Sequence, residues 1–323
     1  MNRHNLDGHY TDEAFREYFN LFDETEIKGN HYWGKSDDGV FNYWLFDEFD
    51  HYISSVLYDI EIEKPIVFED IQNDDNGYLL VFLLDSSVNY KDKKIGSGYV
   101  EGAAIFNAHR RTIVKCDPGQ KIKGITVHLS EKLLQNTGRE NYDELNDLLK
   151  NNSNWVFFEH ITYEMEQCIR ELFALQSERI GKYGFSSAKI LELITHFFTQ
   201  FYTHRTGQKK FDLTQKETED IFNIKTILVS DLMYPPTIES LSQELGVSIP
   251  KLRKDFKNVF GLSPHQFIIR ERLHEARRKV IQTKESMTEI SDLLGFTDSS
   301  HFTKLYKKEF GITPLTERKQ KHS

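Results

Sequence analysis

The sequence predicts an α+β chain: a β-rich N-terminal domain, a helical segment, and an all-α C-terminal domain. Three observations predict it. Short β-branched and aromatic runs, separated by turn residues, fill residues 1–130. After residue 160 the apolar spacing changes to threes and fours, the mark of one-sided helices. In the last third one helical pattern occurs twice, as GVSIPKLRKDFKNVFGLSP at 246–264 and GFTDSSHFTKLYKKEFGITP at 295–314.

The strands come first. ISSVLYDIEI, GYLLVFLLD, RTIVKC and KIKGITVHL have the composition of half-buried strands. Turn chemistry separates them at Asn76-Gly77, Gly96-Ser97-Gly98 and Pro118-Gly119. This spacing suggests a small barrel or sandwich over residues 1–135.

Residues 136–206 are expected to be helical. Ile161, Met165, Ile169 and Leu172 fall on one helical face, and Ile190, Ile194, Phe197 and Phe201 on another, flanked by Leu191 and Phe198. The second face is wide and aromatic. It has two readings, packing on its own β domain or pairing two subunits, and the segment is assigned to dimerisation through those four residues. Residues 207–217 read as a linker. Thr214 and Glu217 then have capping-box spacing and open a helix carrying Ile221, Ile224, Leu228 and Leu232, with Pro235-Pro236 expected to end it.

The twice-used pattern occupies the C-terminal domain, 218–321. Leu241, Leu245 and Gly246 match Ile290, Leu294 and Gly295 at an offset of 49; after one extra residue, Leu252, Phe256, Phe260, Gly261 and Pro264 match Phe302, Tyr306, Phe310, Gly311 and Pro314 at 50. Each copy reads as helix, turn, helix, at 238–260 and 287–310. Gly246 and Gly295 sit where a helix C-terminus takes a left-handed residue. Ser286 and Glu289 form a capping box, and Ser248 and Asp298 suit the caps of the second helices.

Those second helices carry the chemistry. In the first, Leu252, Phe256 and Phe260 make a buried stripe opposite Ile249, Pro250, Arg253, Lys254 and Lys257. In the second, Phe302, Tyr306 and Phe310 are the expected stripe, opposite Ser299, Ser300, Thr303, Lys304 and Lys307. Arg and Lys donate to guanine acceptors, and hydroxyls pair with several base edges or with phosphate. One basic helix face is usually only solvated; two in matched register point to the major groove. A helix over 264–282, with Phe267, Leu273, Ala276 and Val280 as its apolar side, would hold the two readers a fixed distance apart.

Charge agrees. The net charge is −9, but from residue 236 onward 16 Lys and Arg face 11 Asp and Glu, whereas the remainder holds 25 against 39. Two cysteines, Cys116 and Cys168, make neither a disulfide framework nor a zinc site by themselves. The 13 histidines show no zinc-ligand spacing, the NDDNG run at 73–77 fails the calcium-loop pattern, and no Gly-Lys-Ser/Thr follows Gly96, Gly98 and Gly102. No catalytic residue, metal or cofactor is therefore expected. The aromatic stretch HYWGKSDDGVFNYWLFDEF could be core or could line a ligand pocket. The polar start and short apolar runs predict a cytoplasmic, soluble protein with no membrane partner.

The stretches LSQELGVSIPKLRKDFKNVFGLSPHQFI, RLHEARRKV and EISDLLGFTDSSHFTKLYKKEFGITP resemble the AraC/XylS family of bacterial transcription regulators. The resemblance covers about a third of the chain. It implies a homeodomain-like double helix-turn-helix domain that binds double-stranded promoter DNA, often as a homodimer beside RNA polymerase. By it, Ser248, Pro250, Lys251, Arg253, Lys254 and Lys257 of the first unit, and Ser299, Ser300, Thr303, Lys304, Lys307 and Lys308 of the second, face DNA. Pro250 departs from the larger or polar residue often found there, which shifts direct readout toward Arg253 and Lys254. The N-terminal half resembles the family's cupin-like sensor domains in pattern. CDPGQKIKGITVHLSEKLL and the stretch from Tyr234 to Gly261 are similar to the pyochelin-type siderophore regulators. A small molecule or other signal is expected to act through the N-terminal domain, and the resemblance does not identify an effector. The competing readings are an enzyme joined to a DNA-binding tail and a constitutive dimeric DNA-binding protein.

Overall fold

The computed structural model describes residues 2–321 apart from 8–9, 49–52, 72–76, 91–92, 97–101, 108–111, 132–155, 178–179, 206–210 and 212. Asn76, Ser97 and Gly98 of the expected turns, residues 73–76 of the NDDNG run, and 207–210 and 212 of the expected linker lie outside the described residues. The chain divides into two compact units, Met1–Thr218 and Glu219–Ser323.

The first unit is built on antiparallel strands. They are β2 (Glu24–Lys28), β3 (His31–Ser36), β4 (Gly39–Glu48), β5 (Ile53–Ile62), β7 (Gly77–Tyr90), β8 (Lys93–Gly96), β9 (Gly102–Asn107), β11 (Lys121–Ser130) and β12 (Val156–Glu159). Their order is β12-β9-β7-β11-β5-β4-β3-β2, with β8 paired to β7 off this path. A second, three-stranded sheet joins β1 (Asn2–Asp7), β6 (Ile66–Ile71) and β10 (Thr112–Cys116), with β1 parallel and β10 antiparallel to β6.

Helix α1 (Asp12–Phe19) lies against β3 and β4 because its Phe15 and Phe19 meet Tyr32 and Tyr43 from those strands. Tyr32, Phe41 and Tyr43 are fully or almost fully buried. The aromatic stretch thus supplies packed core here. His4 joins this cluster: its Nδ1 lies 2.8 Å from the Tyr18 hydroxyl and its Nε2 3.2 Å from Asp38. Burial holds its imidazole below the ordinary value, against the pull of Asp38.

Helices α2 (Tyr163–Ala174) and α3 (Lys182–Arg205) close the larger core. Met165, Cys168, Ile169 and Leu172 of α2 and Ile190, Leu193, Ile194, Phe197 and Phe201 of α3 pack with Leu80, Phe82, Ile125, Val127 and Phe157 of the sheet. Phe197 meets Phe82 edge-on at 5.9 Å, and Phe201 meets Phe157 at 5.3 Å. This corrects one expectation. Ile190, Ile194, Phe197 and Phe201, assigned above to a subunit interface, are at most 7% exposed inside their own unit, so they are spent on its core. The end of α3 is pinned to β12: Arg205 Nε donates to Glu159 Oε1 at 2.9 Å, and its Nη2 to the Phe158 carbonyl at 2.7 Å. Both charges are buried, and their pairing is what makes that tolerable.

Residues 136–206 are not wholly helical either. Strand β12 lies within them and pairs antiparallel with β9. Its three apolar or aromatic residues, Val156, Phe157 and Phe158, give too short a run for periodicity to separate strand from helix. Cys116 is buried, and burial pushes its thiol up to about 12.

The second unit is helical: α4 (Gln215–Val229), which begins just before it, α5 (Ile238–Leu245), α6 (Ile249–Phe260), α7 (Pro264–Gln282), α8 (Met287–Leu293), α9 (Ser299–Phe310) and α10 (Pro314–Lys321). Helix α4 stops before the expected Pro235-Pro236. Asp231 Oδ1 accepts from the backbone N–H of Met233 and Tyr234 at 3.0 and 2.9 Å, and this side-chain turn redirects the chain first. Phe256, Phe260 and Phe267 pack around the first helix pair, and Leu273, Ala276, Val280, Ile290, Phe302 and Tyr306 around the second. Phe310, expected in the buried stripe, is only half-buried; its ring lies 4.7 Å from the Arg277 guanidinium.

Candidate nucleic-acid interface

Helices α6 and α9 are built by the same local rules. After α5, Gly246 is left-handed at φ 65°, and the Val247 N–H reaches back to the Ser242 carbonyl at 3.1 Å. After α8, Gly295 is left-handed at φ 69°, and the Phe296 N–H reaches the Ser291 carbonyl at 3.0 Å. Both are the turn in which a donor beyond the glycine satisfies a helix carbonyl. Ser248 Oγ then accepts from Lys251 N at 3.4 Å to start α6, and Asp298 Oδ1 from His301 N at 2.8 Å to start α9. Pro250 lies in the first turn of α6, where its missing N–H costs nothing.

These caps fix which side chains face out. On α6, Pro250, Lys251, Arg253, Lys254 and Lys257 are exposed, opposite the buried Leu252, Phe256 and Phe260. On α9, Ser300, Lys304, Lys307 and Lys308 are exposed, Ser299 and Thr303 half-exposed, and Phe302 and Tyr306 buried. His301 is also exposed in the first turn of α9; its position at the helix start was the signal, and the sequence reading passed over it.

The outward residues are not equivalent. Lys251 Nζ lies 2.6 Å from Asp255 one turn on, so part of its charge is already answered. Arg253 is 4.0 Å from Glu239, an exposed pair of little strength. Ser248 is occupied as a cap through one lone pair. The Thr303 hydroxyl donates to the Ser299 carbonyl at 2.8 Å and keeps its lone pairs for an incoming donor. Lys254, Lys257, Lys304, Lys307 and Lys308 form no ion pair among the described residues and present bare positive charge.

The spacer between the readers is α7, 19 residues and about 28 Å at 1.5 Å per residue. Its arginines hold the fold, a role the sequence reading missed. Arg272 donates to the Leu232 carbonyl at 2.7 Å and the Gly295 carbonyl at 2.5 Å, tying the loop before α5 to the turn between α8 and α9. A Cβ at Gly295 would come within 2.9 Å of Arg272 Nη2 and of the Met233 carbonyl, so glycine is needed for space as well as for φ. Arg277 donates to the buried Glu317 of α10 at 2.9 Å, and the Tyr306 hydroxyl donates to the same carboxylate at 2.7 Å. Burial and that carboxylate push the Tyr306 phenol well above its ordinary value, keeping it a donor.

Two like units on one rigid spacer, each exposing a capped basic helix, define a double helix-turn-helix domain. Residues 241–320 match the family model described as a helix-turn-helix domain. The HTH-type transcriptional regulator ArgR of Pseudomonas aeruginosa is 30% identical over 95 residues, covering 29% of this chain and 29% of that protein. The HTH-type transcriptional activator RhaS of Yersinia pestis is 35% identical over 80 residues, 25% of this chain and 29% of the relative. A solved AraC-type DNA-binding-domain protein from Chromobacterium violaceum is 27% identical, with a TM-score of 0.31, over 33% of this chain and 96% of that one. The C-terminal domain is thus of the AraC/XylS type. The chain spans less than a third of the length of the curated relatives it matches. Among the described residues no helix is long and apolar enough to cross a membrane.

Proposed function

We propose that this chain is a transcription regulator that binds double-stranded promoter DNA sequence-specifically through α6 and α9. The observation that carries the proposal is the repeated cap, turn and register that expose Arg253, Lys254 and Lys257 on one helix and Ser300, Thr303, Lys304, Lys307 and Lys308 on the other. Groups near the helix starts reach base edges, and Lys257, Lys307 and Lys308, a turn later, meet phosphates. Ser299 and Thr303 read through short hydroxyls, where bridging water extends their reach.

The family resemblance supports two further parts of this reading. The first unit receives a signal, such as a small molecule, and the protein acts as a homodimer beside RNA polymerase. Subunit contacts then use surfaces other than Ile190, Ile194, Phe197 and Phe201, which are buried. The relatives' names describe regulators, which supports regulation over an enzyme joined to a DNA-binding tail.

Selection of duplexes from a randomised library by the full-length chain tests the central claim. The expected result is an enriched site with two blocks about 10 base pairs apart, bound more weakly as salt rises. No enrichment, or binding indifferent to salt, would overturn it.

A further inference from the structure

A cluster of potential metal ligands lies within the first unit, and its reading is independent of the function proposed above. Cys168 projects from α2 where α2 and α3 meet, 2% exposed at the rim of the core. Glu192 and His196 stand opposite on α3, one turn apart and so on one face. One donor atom from each, the Cys168 sulfur, a Glu192 oxygen and a His196 nitrogen, all lie within 4.8 Å of one another. We propose that Cys168, Glu192 and His196 form a binding site for a borderline divalent cation of the zinc type.

The donor set argues for that class. Thiolate, imidazole and carboxylate together suit zinc and its first-row neighbours, whereas calcium and magnesium take oxygen. A tetrahedral ion at ordinary bond lengths holds such donors about 3.3–3.8 Å apart. Glu192 and His196 are partly exposed, at 45% and 37% of their side chains, so side-chain rotation can close the difference and an ion can enter from solvent. The sulfur side is fixed by core packing. Three protein ligands leave a fourth position for water or an exchangeable ligand.

One neighbouring charge bears on occupancy. Lys189 Nζ sits 2.6 Å from Glu171 and 2.7 Å from Glu192, so it competes with a cation for the Glu192 carboxylate. Removing Lys189 should therefore tighten metal binding, the opposite of what loss of a merely structural ion pair would do.

The test is cobalt(II) titration of the full-length chain, because a cobalt–thiolate bond gives a near-ultraviolet charge-transfer band that histidines and carboxylates alone do not. The band should appear, saturate at one equivalent and be displaced by zinc. Cys116→Ser should keep it and Cys168→Ser should lose it. His196→Ala, at a half-exposed position, should weaken cobalt binding on the order of tenfold or more without lowering the melting temperature. Lys189→Met should strengthen it. Absence of the band in the native chain, its persistence in Cys168→Ser, or undiminished binding in a folded His196→Ala protein would each overturn the proposal.

Discussion

Arg253 and Lys257 lie one helical turn apart on the same exposed face, yet their expected jobs differ. Arg253 is near the capped start of α6, where side chains enter the groove; Lys257 is near its end. Arg253→Ala and Lys304→Ala should each cost about 1–3 kcal/mol on the selected site and relax preference at one or two base pairs. Lys257→Ala should weaken all sequences alike and lower the salt slope by about one. Binding isotherms on single-base variants check both. The same base pair relaxed by Arg253→Ala and Lys304→Ala would remove the two-reader model. At this scale much was legible, because exposure on a one-sided helix follows from spacing alone. The pairing of Lys251 with Asp255 was also within reach, since i and i+4 always face each other.

At the scale of elements, the caps and the left-handed glycines could be read directly. Ser248, Asp298, Gly246 and Gly295 act locally, through bonds to backbone a few residues away. The partner of α3 could not be read so. Its aromatic face fits a sheet or a second subunit equally, and only the position of Phe82 and Phe157 decides between them. Phe197→Asp should abolish cooperative melting of the first unit. It forfeits about the 3–5 kcal/mol typical of a buried Phe and adds an unpaired buried charge. A Phe197→Asp protein that melts normally but changes its oligomeric state would put that face back at an interface. Arg272 makes the matching case in the second unit. Arg272→Ala leaves the Leu232 and Gly295 carbonyls without their donor, at about 1–3 kcal/mol for each that stays dry. Urea unfolding of the full chain should show a lower midpoint. Arg272→Lys should restore only part of it, since an ammonium lacks the guanidinium fork that spans two carbonyls.

For the whole molecule, the contrast in charge between the two ends of the chain matters most. A fragment from residue 213 keeps Thr214 and Glu217, which cap α4 through bonds of 2.8 and 3.2 Å, together with all of the second unit. It should fold alone and bind non-specific DNA more tightly than the full chain, because the removed residues 1–212 hold 35 acidic residues against 23 basic ones. Circular dichroism and fluorescence anisotropy at two salt concentrations test this. A fragment that is unfolded, or one that binds more weakly than the full chain at low salt, would refute it.

By itself the sequence determined the two repeated helix pairs, the caps Ser248, Ser286 and Asp298, most of their buried and exposed faces (Phe310 excepted), and the length of the spacer. All of these rest on contacts between residues close in the chain. Only the tertiary structure decided what α3 packs against, that Val156–Glu159 is a strand, that Arg272 and Arg277 are struts, and that Cys168 meets Glu192 and His196. In each case the deciding partner is distant in sequence: Phe106 opposite Val156, Leu232 beside Arg272, Glu317 beside Arg277, and α3 beside Cys168. Periodicity states which face of an element must be covered, and it carries no information about which distant face will cover it.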